Sequence, residues 1–216
     1  MTPPTTKAKA PAPTRRVPVL AIALGAIAIV AIIGIAISVG GEAERQDDAP
    51  AFGPVVVEGQ RLVPLPDGGT DPAVGTAAPI VGGIDGEEVP TTIGEPGEPT
   101  IVAFLAHWCP HCNVELPVLV DLQQDGTLDG VRTVAVLTGT DEAAPNYPPV
   151  SWLEDSGWSG DVLLDDESST AASAYGLTSY PFLVALDAEG NVVARTSGER
   201  SAEEVAAMAD AARSGT

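Results

Sequence analysis

The stretch Ala106-His107-Trp108-Cys109-Pro110-His111-Cys112 directly follows a run of five apolar residues, 101–105. It contains the only two cysteines and the only two histidines among the 216 residues. A short continuous apolar run is typical of a strand buried on both faces. After the cysteines, apolar residues recur with helical spacing at Val114, Val118, Leu119 and Leu122. Two thiols three positions apart, where a strand meets a helix, indicate a redox pair.

The first cysteine is predicted to open the helix. The free amides of a first turn and the helix dipole favour a thiolate there, and only the thiolate attacks a disulfide. We therefore expect Cys109 to be the nucleophile and Cys112, one turn further along, to resolve the mixed disulfide. Pro110 fits the first turn because the amide that it lacks has no intrahelical partner there. His111 can carry charge near neutral pH and should further favour the Cys109 thiolate.

Other roles for the cysteine pair fit the sequence less well. A structural zinc site normally joins two ligand pairs from different segments, whereas His107, Cys109, His111 and Cys112 lie within six residues and have no second pair elsewhere. Covalent haem attachment needs a histidine where Asn113 stands. A purely structural disulfide at this spacing would constrain very little chain. We expect no bound cofactor and no metal, with the Cys109–Cys112 disulfide as the redox group.

The chain begins with a basic, Pro- and Thr-rich stretch, residues 1–16, which predicts a short cytoplasmic tail. Residues 17–39 carry no charge, and a helix of that length spans about 35 Å, enough to cross a hydrocarbon core of about 30 Å. We predict one transmembrane helix. A cleavable signal peptide is the alternative, but its apolar core is usually about 7–15 residues.

Charge is distributed unevenly along the chain. All four basic residues of the first 16 precede the predicted span, and the rest of the chain has 30 acidic and only six basic side chains. The positive-inside rule therefore predicts a single-pass protein of the cell membrane with an extracytoplasmic domain, on the side where disulfides persist. So acidic a domain should repel nucleic acid, and we expect no nucleic-acid partner.

Residues 40–78 are rich in Pro, Gly and Asp and predict an extracytoplasmic linker that tethers the domain. Within it, 55–57 and 62–63 are predicted to form a small hairpin. The domain itself is predicted over 79–216.

The domain pattern alternates strands and helices. Residues 80–89 predict a hairpin, and 131–137 predict a strand that forms a right-handed parallel crossover unit with 101–105. A short helix is predicted at 152–158, a strand at 161–164, a helix at 168–175, a hairpin at 182–195, and a last helix that starts with a capping box at Ser201. The fold class is α/β, a mixed central sheet with helices on both faces.

Several segments together resemble thioredoxin-fold proteins. Trp108 to Cys112 after a buried strand is similar to their active site, and residues 112–117 are similar to the stretch that follows it in membrane-anchored members of the TlpA and ResA type. Pro117 falls where thioredoxins kink this helix. Residues 175–181 match the approach to the family's cis-proline, and 187–195 match its closing hairpin. The resemblance covers 79–212.

The resemblance implies a thiol-disulfide oxidoreductase that acts on exported proteins with thiols or disulfides and is recycled by a membrane redox partner. It implies a cis bond before Pro181, with Pro181 packed against the cysteines and the Tyr180 backbone presented to an extended substrate strand. Trp108 is expected to shield the first sulfur and to contact substrates.

The direction of the reaction stays open. Ala103 stands where thioredoxins carry a buried acid, and this departure favours an oxidase or isomerase over a reductase. The proline-histidine dipeptide resembles that of DsbA, and Tyr180 is similar to the residue before the cis-proline of protein disulfide isomerase. Potentials of such proteins span about −270 to −120 mV.

The remaining aromatic and histidine side chains are expected to be structural. His107 is predicted to be a solvated residue at a strand end, with adjustment of the thiolate as the alternative. Ordinary packing is predicted for Tyr147, Trp152 and Trp158, with a substrate groove as the alternative. For the whole domain, the alternative to an enzyme is a non-catalytic module that captures a peptide or a metal ion.

Overall fold

The computed structural model describes residues 49–216, in which eight strands and four helices form. The strands are β1 Val56–Glu58, β2 Ile80–Ile84, β3 Pro90–Ile93, β4 Thr100–Leu105, β5 Arg132–Leu137, β6 Asp161–Leu164, β7 Phe182–Leu186 and β8 Val192–Ser197. The helices are α1 Pro110–Gln124, α2 Pro149–Asp155, α3 Thr170–Ala174 and α4 Ala202–Ser214.

The predicted tail 1–16 and the predicted span 17–39 lie outside the described residues. Within 49–216, no helix is both long enough and apolar enough to cross a bilayer.

The apolar run that precedes the cysteines is β4, the central strand of a five-stranded sheet in the order β6-β5-β4-β7-β8. β4, β5 and β6 are parallel to one another. β7 pairs antiparallel with β4, and β8 pairs antiparallel with β7. Every residue of β4 is buried. Ile101, Ala103 and Leu105 belong to one core and Val102 and Phe104 to the other, because successive side chains of a strand point to opposite faces. The predicted mixed sheet, buried on both faces, is confirmed.

Each face of the sheet has its own cover. α1, α2 and α4 contribute side chains to the core that contains Ile101, and α3 contributes to the core that contains Phe104. The predicted capping box of α4 is present, since Ser201 Oγ accepts from the Glu204 N–H and the Glu204 carboxylate accepts from the Ser201 N–H. α2 starts three residues before the predicted helix, because Pro149 fits a first helical turn, where no amide is needed.

The parallel strands bring their carboxyl ends to one edge of the sheet. Leu105 lies opposite Leu137, and Leu137 lies opposite Leu164. The cysteine turn follows β4 at this edge, Gly139 follows β5, and Asp165 follows β6. β7 is antiparallel to β4, so its first residue, Phe182, also lies there. Tyr180 and Pro181 therefore come to the same end of the sheet as the cysteines.

The hairpin predicted at 80–89 is present as β2 and β3, although β3 starts at Pro90. It belongs to a second sheet, of order β1-β2-β3, whose third strand was not predicted. The hairpin expected between 55–57 and 62–63 is wrong: Val57 pairs with Val81 of β2, and the Leu62 N–H donates to Ala174 O at 2.8 Å. An isolated two-stranded hairpin is marginal in water. Adding β1 to the β2–β3 hairpin gives three strands and lets Leu62 reach the core beside Phe104.

Much of the segment predicted as a tether packs against the domain. The Gly53 N–H donates to Asp165 O at 3.1 Å. Further on, Asp71 forms an ion pair of 2.6 Å with Arg195, whose side chain is completely buried. Pro and Gly indicate a segment without regular secondary structure. Such a segment can still pack against a domain when its side chains are buried or form ion pairs. The structure therefore differs from the predicted boundary at 79, because the chain already packs against the domain at Ala49, the first described residue.

Candidate active site

Cys109 lies at the junction of strand and helix, as predicted. Its N–H donates to Ala106 O at 2.9 Å, which closes the turn after β4. It is the N-cap residue of α1 with extended backbone dihedrals, and Pro110 occupies the first helical turn. Its sulfur therefore sits where the unpaired amides and the dipole of α1 favour negative charge.

The two cysteines occupy different environments. Both are free thiols; Cys109 is 5% exposed, whereas Cys112 is fully buried. Burial raises the pKa of the Cys112 thiol far above its ordinary value. Cys112 is therefore a neutral thiol at physiological pH, and the two sulfurs are chemically unequal.

His111 points into solvent between the cysteines. Its side chain is 67% exposed, and Nδ1 lies 2.6 Å from Glu199 Oε1 in the loop before α4. This carboxylate partner was not predicted. It supplies a negative charge beside the imidazole that was expected to favour the Cys109 thiolate.

Trp108 and Tyr180 form an aromatic pair beside Cys109, with ring centroids 5.9 Å apart and planes 83° apart. Trp108 Nε1 donates to Gly139 O at 2.7 Å. A Cβ on Gly139 would lie 2.5 Å from the Tyr180 hydroxyl, and the φ of Gly139 is +60°. A glycine at this position therefore permits the close approach of Tyr180.

The Tyr180–Pro181 peptide bond is cis, as predicted from the resemblance. The Tyr180 side chain is partly buried against the core, and this burial raises the pKa of its hydroxyl. The packing of Pro181 against the cysteines stays a prediction. A second cis bond, Tyr147–Pro148, was not predicted.

A buried carboxyl group in α1 was not predicted from the sequence. Glu115 is fully buried, and its Oε2 accepts a hydrogen bond of 2.7 Å from the Arg200 N–H. Oε1 has no hydrogen-bond partner. Burial raises the pKa of this carboxyl group, and its charge contributes to the raised pKa of Cys112.

The predicted apolar face of α1 is wrong at one position, since Val114 is 54% exposed. Cys112, Leu116 and Leu119 define the buried face, on which Glu115 also lies. The signal was present in the spacing, because residue 115 is three positions from the buried Cys112 and so shares its side of the helix.

His107 is also placed differently from the prediction of a solvated residue. It is 1% exposed, and its Nδ1 lies 2.7 Å from Pro145 O. The loop after β5 covers it, and no local sequence pattern indicates how that loop folds back. Trp152 and Trp158 pack against the core, as predicted, whereas Tyr147 is 39% exposed.

Metal-ligating side chains do not converge in the part of the chain that the structure describes. Among residues 49–216, no three His, Cys, Asp or Glu side chains are grouped so that they could hold an ion. The chemistry that the site offers is that of two unequal thiols.

The fold and the site define a thioredoxin-fold protein with a cysteine pair at the start of a helix. The chain belongs to the Redoxin family, whose model matches residues 73–212.

Individual relatives agree with this assignment. Over 107 residues the chain is 26% identical to the thiol:disulfide interchange protein DsbE of Pasteurella multocida (strain Pm70), covering 50% of this chain and 55% of that protein. The chain thus spans about half the length of this curated relative.

Two solved structures are similar. A thioredoxin-family thiol:disulfide interchange protein from Chlorobium tepidum TLS has a TM-score of 0.50 and 27% identity, covering 63% of this chain and 95% of that one. The thioredoxin domain of a thiol-disulfide oxidoreductase from Bacteroides vulgatus has a TM-score of 0.52 and 20% identity, covering 64% and 96%. At 20% identity, the similarity to the second structure shows a shared fold only.

Proposed function

We propose that the protein is a membrane-anchored, extracytoplasmic thiol-disulfide oxidoreductase that exchanges disulfides with exported proteins through Cys109 and Cys112. One observation carries the proposal: Cys109 caps the start of α1, while Cys112 is buried one turn further along with a raised pKa. This asymmetry suits one sulfur for attack and the other for resolution. The names of the relatives support the same chemistry.

In the reducing direction, the Cys109 thiolate attacks one sulfur of a substrate disulfide. A mixed disulfide forms, and the other substrate sulfur leaves as a thiolate that takes up a proton. Cys112 then loses its proton and attacks the Cys109 sulfur. The substrate leaves with its second thiol, the Cys109–Cys112 disulfide forms, and two electrons have passed to the substrate. Oxidation of a substrate dithiol is the reverse sequence.

The proton of Cys112 needs an acceptor, because a buried thiol with a raised pKa does not ionise unaided. Glu115 is suited to this role. It lies on the same side of α1 as Cys112, it is fully buried, and one of its oxygens has no partner. A carboxyl group with a raised pKa binds a proton more readily than an ordinary carboxylate and can release it later.

Substrate chains are proposed to lie along the Tyr180 backbone before Pro181, next to the indole of Trp108. Trp108 is 38% exposed, which leaves an aromatic surface beside the nucleophile. His111 and the start of α1 are proposed to stabilise the Cys109 thiolate. The reducing or oxidising direction depends on the potential, which the dipeptide Pro110-His111 tunes.

The anchor is proposed from the sequence. Residues 17–39 form the span, the basic tail 1–16 is cytoplasmic, and the domain lies outside, where a membrane redox protein recycles the pair. The proposed linker is shorter than the composition predicts, because Ala49 already packs against the core.

Trapping tests the proposal. A full-length Cys112→Ser variant cannot resolve, so its substrates should stay attached to Cys109 and appear as mixed disulfides on non-reducing gels. A trapped set of apo-cytochromes would indicate reduction, and a broad set of secreted proteins would indicate oxidative folding. The matched control is Cys109→Ser, which should trap nothing. Equal insulin reduction and equal disulfide formation by wild type and Cys109→Ser would instead favour a binding module.

A further inference from the structure

Two hydrogen-bond networks, part-buried around His107 and exposed where Asn113 meets the loop, connect the cysteine turn to one surface loop, residues 139–148, which follows β5 and leads into α2. One network starts at His107, two residues before Cys109, and the other at Asn113, directly after Cys112. The thiol chemistry proposed above uses neither side chain.

The His107 ring is held by the loop through both nitrogens. Nδ1 lies 2.7 Å from Pro145 O, and because a carbonyl only accepts, Nδ1 carries the hydrogen and donates it. Nε2 then accepts from the Asp141 N–H at 3.3 Å. The ring thus links two points of the loop that are four residues apart.

The Asn113 amide joins three elements. Its Nδ2 donates to Cys109 O at 2.8 Å, so one end of the amide holds the cysteine turn. Its Oδ1 accepts from Asn146 Nδ2 at 3.1 Å and from Trp152 Nε1 at 3.0 Å, so the other end holds the loop and α2. Asn146 Nδ2 also donates to His107 O at 2.9 Å, which connects the two networks.

The loop is fixed to the site at its start as well. Gly139 O accepts from Trp108 Nε1 at 2.7 Å. Between these attachments the loop exposes Tyr147, which is 39% exposed and whose ring lies 6.1 Å from that of His107. Trp108 and Tyr147 are therefore two partly exposed aromatic side chains fixed to the same loop, one at each end.

We propose that His107 and Asn113 are positioning residues that hold the 139–148 loop as a preformed wall of the polypeptide-binding groove. They then act on recognition of protein substrates and not on the thiol exchange itself. A wall that is already ordered adds little ordering cost when an extended chain binds beside it, whereas a small disulfide reaches Cys109 without touching the wall. The inference rests on the proposed oxidoreductase function.

Asn146→Gly in the full-length protein is the decisive variant. The φ of Asn146 is +64°, so glycine keeps the backbone conformation and removes only the side-chain amide with its two bonds. With insulin as substrate, we expect KM to rise about tenfold with kcat nearly unchanged, because the wall becomes mobile. The rate with 5,5′-dithiobis(2-nitrobenzoate), a small disulfide, should stay within about twofold of wild type.

Two further variants complete the test. Asn191→Gly likewise removes a hydrogen-bonded side-chain amide, from the remote 187–191 turn, and should leave both substrates unaffected. Asn113→Asp keeps the oxygen that accepts from Asn146 and Trp152 but replaces the donor to Cys109 O with a negative charge. It should therefore lower the rate with the small disulfide, because a carboxylate near Cys109 disfavours the thiolate, and retain most of the affinity for insulin.

Equal losses with both substrates in Asn146→Gly would overturn the inference, and so would no loss with insulin. The oxidoreductase proposal fails differently, through equal insulin activity of wild type and Cys109→Ser. In that case, amide hydrogen exchange still tests whether the two networks hold the loop. Residues 139–148 should exchange faster in Asn146→Gly than in wild type, and unchanged exchange would exclude this positioning role.

Discussion

The backbone N–H of Arg200 donates to Glu115 Oε2 at 2.7 Å, so the loop before α4 covers the carboxyl group that lies on the same side of α1 as Cys112. This single bond satisfies one oxygen and leaves Oε1 without a partner. Burial raises the pKa of Glu115, and the hydrogen bond from Arg200 only partly opposes that rise. A buried, half-satisfied carboxyl group destabilises a fold when it is ionised, which indicates that it is kept for function.

Glu115→Gln should stabilise the protein at high pH. Because folding raises the pKa of this acid above its ordinary value of 4.5, its ionisation favours the unfolded state. The penalty is absent below about pH 4.5, grows as the pH rises through the folded pKa, and is complete above it. Urea unfolding should show that the variant has a free energy of unfolding on the order of 1–3 kcal/mol higher than wild type at pH 8, and no difference at pH 4.

The exposed Glu154 of α2 provides the matched control, since Glu154→Gln should show no such pH dependence. A gain from Glu115→Gln that is the same at pH 4 and pH 8 would contradict the assignment. If Glu115 also accepts the Cys112 proton, this more stable variant should resolve mixed disulfides more slowly.

Alkylation should distinguish the two cysteines. Burial raises the pKa of Cys112, so at pH 8 it remains a thiol and is unreactive, whereas Cys109 lies at the helix start. Treatment of the reduced protein with iodoacetamide, followed by peptide mass spectrometry, should show modification at Cys109 alone. Unfolding in urea should make both residues react. Preferential labelling of Cys112 in the folded protein would reverse the proposed roles.

Gly139→Ala should destabilise the site by roughly 1–3 kcal/mol. The new Cβ would lie 2.5 Å from the Tyr180 hydroxyl, at a φ of +60° that side chains rarely adopt. Removing that hydroxyl in Gly139→Ala/Tyr180→Phe should restore part of the loss, because the backbone strain remains but the clash is gone. A double-mutant cycle measured by urea unfolding gives the coupling. Additive effects would show that the two residues do not touch.

Asp71→Ala should cost about 3–5 kcal/mol of unfolding free energy, because it leaves the Arg195 guanidinium buried without its counter-charge. Both Arg195 Nε and Nη2 donate to Asp71, at 2.8 and 2.6 Å. These bonds lower the pKa of Asp71 from its ordinary value of 3.8. The stabilisation is therefore present above about pH 3.8 and is lost as the pH falls through the folded pKa.

The control for this change is Asp67→Ala, an exposed acid four residues earlier, which should be nearly neutral. Thermal unfolding of both variants at pH 7 measures the difference in their stability. If Asp71→Ala were as stable as wild type, the ion pair with Arg195 would contribute nothing to holding this segment against the domain.

The sequence predicted those parts of the fold whose signals are local. The buried β4 follows from five consecutive apolar residues, and α4 follows from its capping box at Ser201. The cysteine turn could be placed because a strand, a proline in the first helical turn and paired thiols occur together. Each of these signals needs only neighbours along the chain.

The parts that could not be predicted depend on partners far away in sequence. Asp71 is paired with Arg195, 124 residues later, and Glu115 with Arg200, 85 residues later. The first pair was not predicted because Asp71 lies in a proline-rich segment that reads as a linker. The second was not predicted because the helix pattern was judged from its apolar residues alone, and Glu115 is acidic. His107 is buried by a loop that starts more than 30 residues away, so its environment is a property of the tertiary structure alone.

The contact between Gly53 and Asp165 bears on where the protein works. Asp165 follows β6 only two strands away from β4, which corresponds to roughly 10 Å across the sheet. The amino-terminal chain thus joins the domain at the same pole as the dithiol. With the proposed span ending at residue 39 and Ala49 packed against the core, ten residue steps separate the two, a reach of at most about 35 Å. The proposed anchor would therefore keep both sulfurs within a few tens of ångströms of the lipid surface.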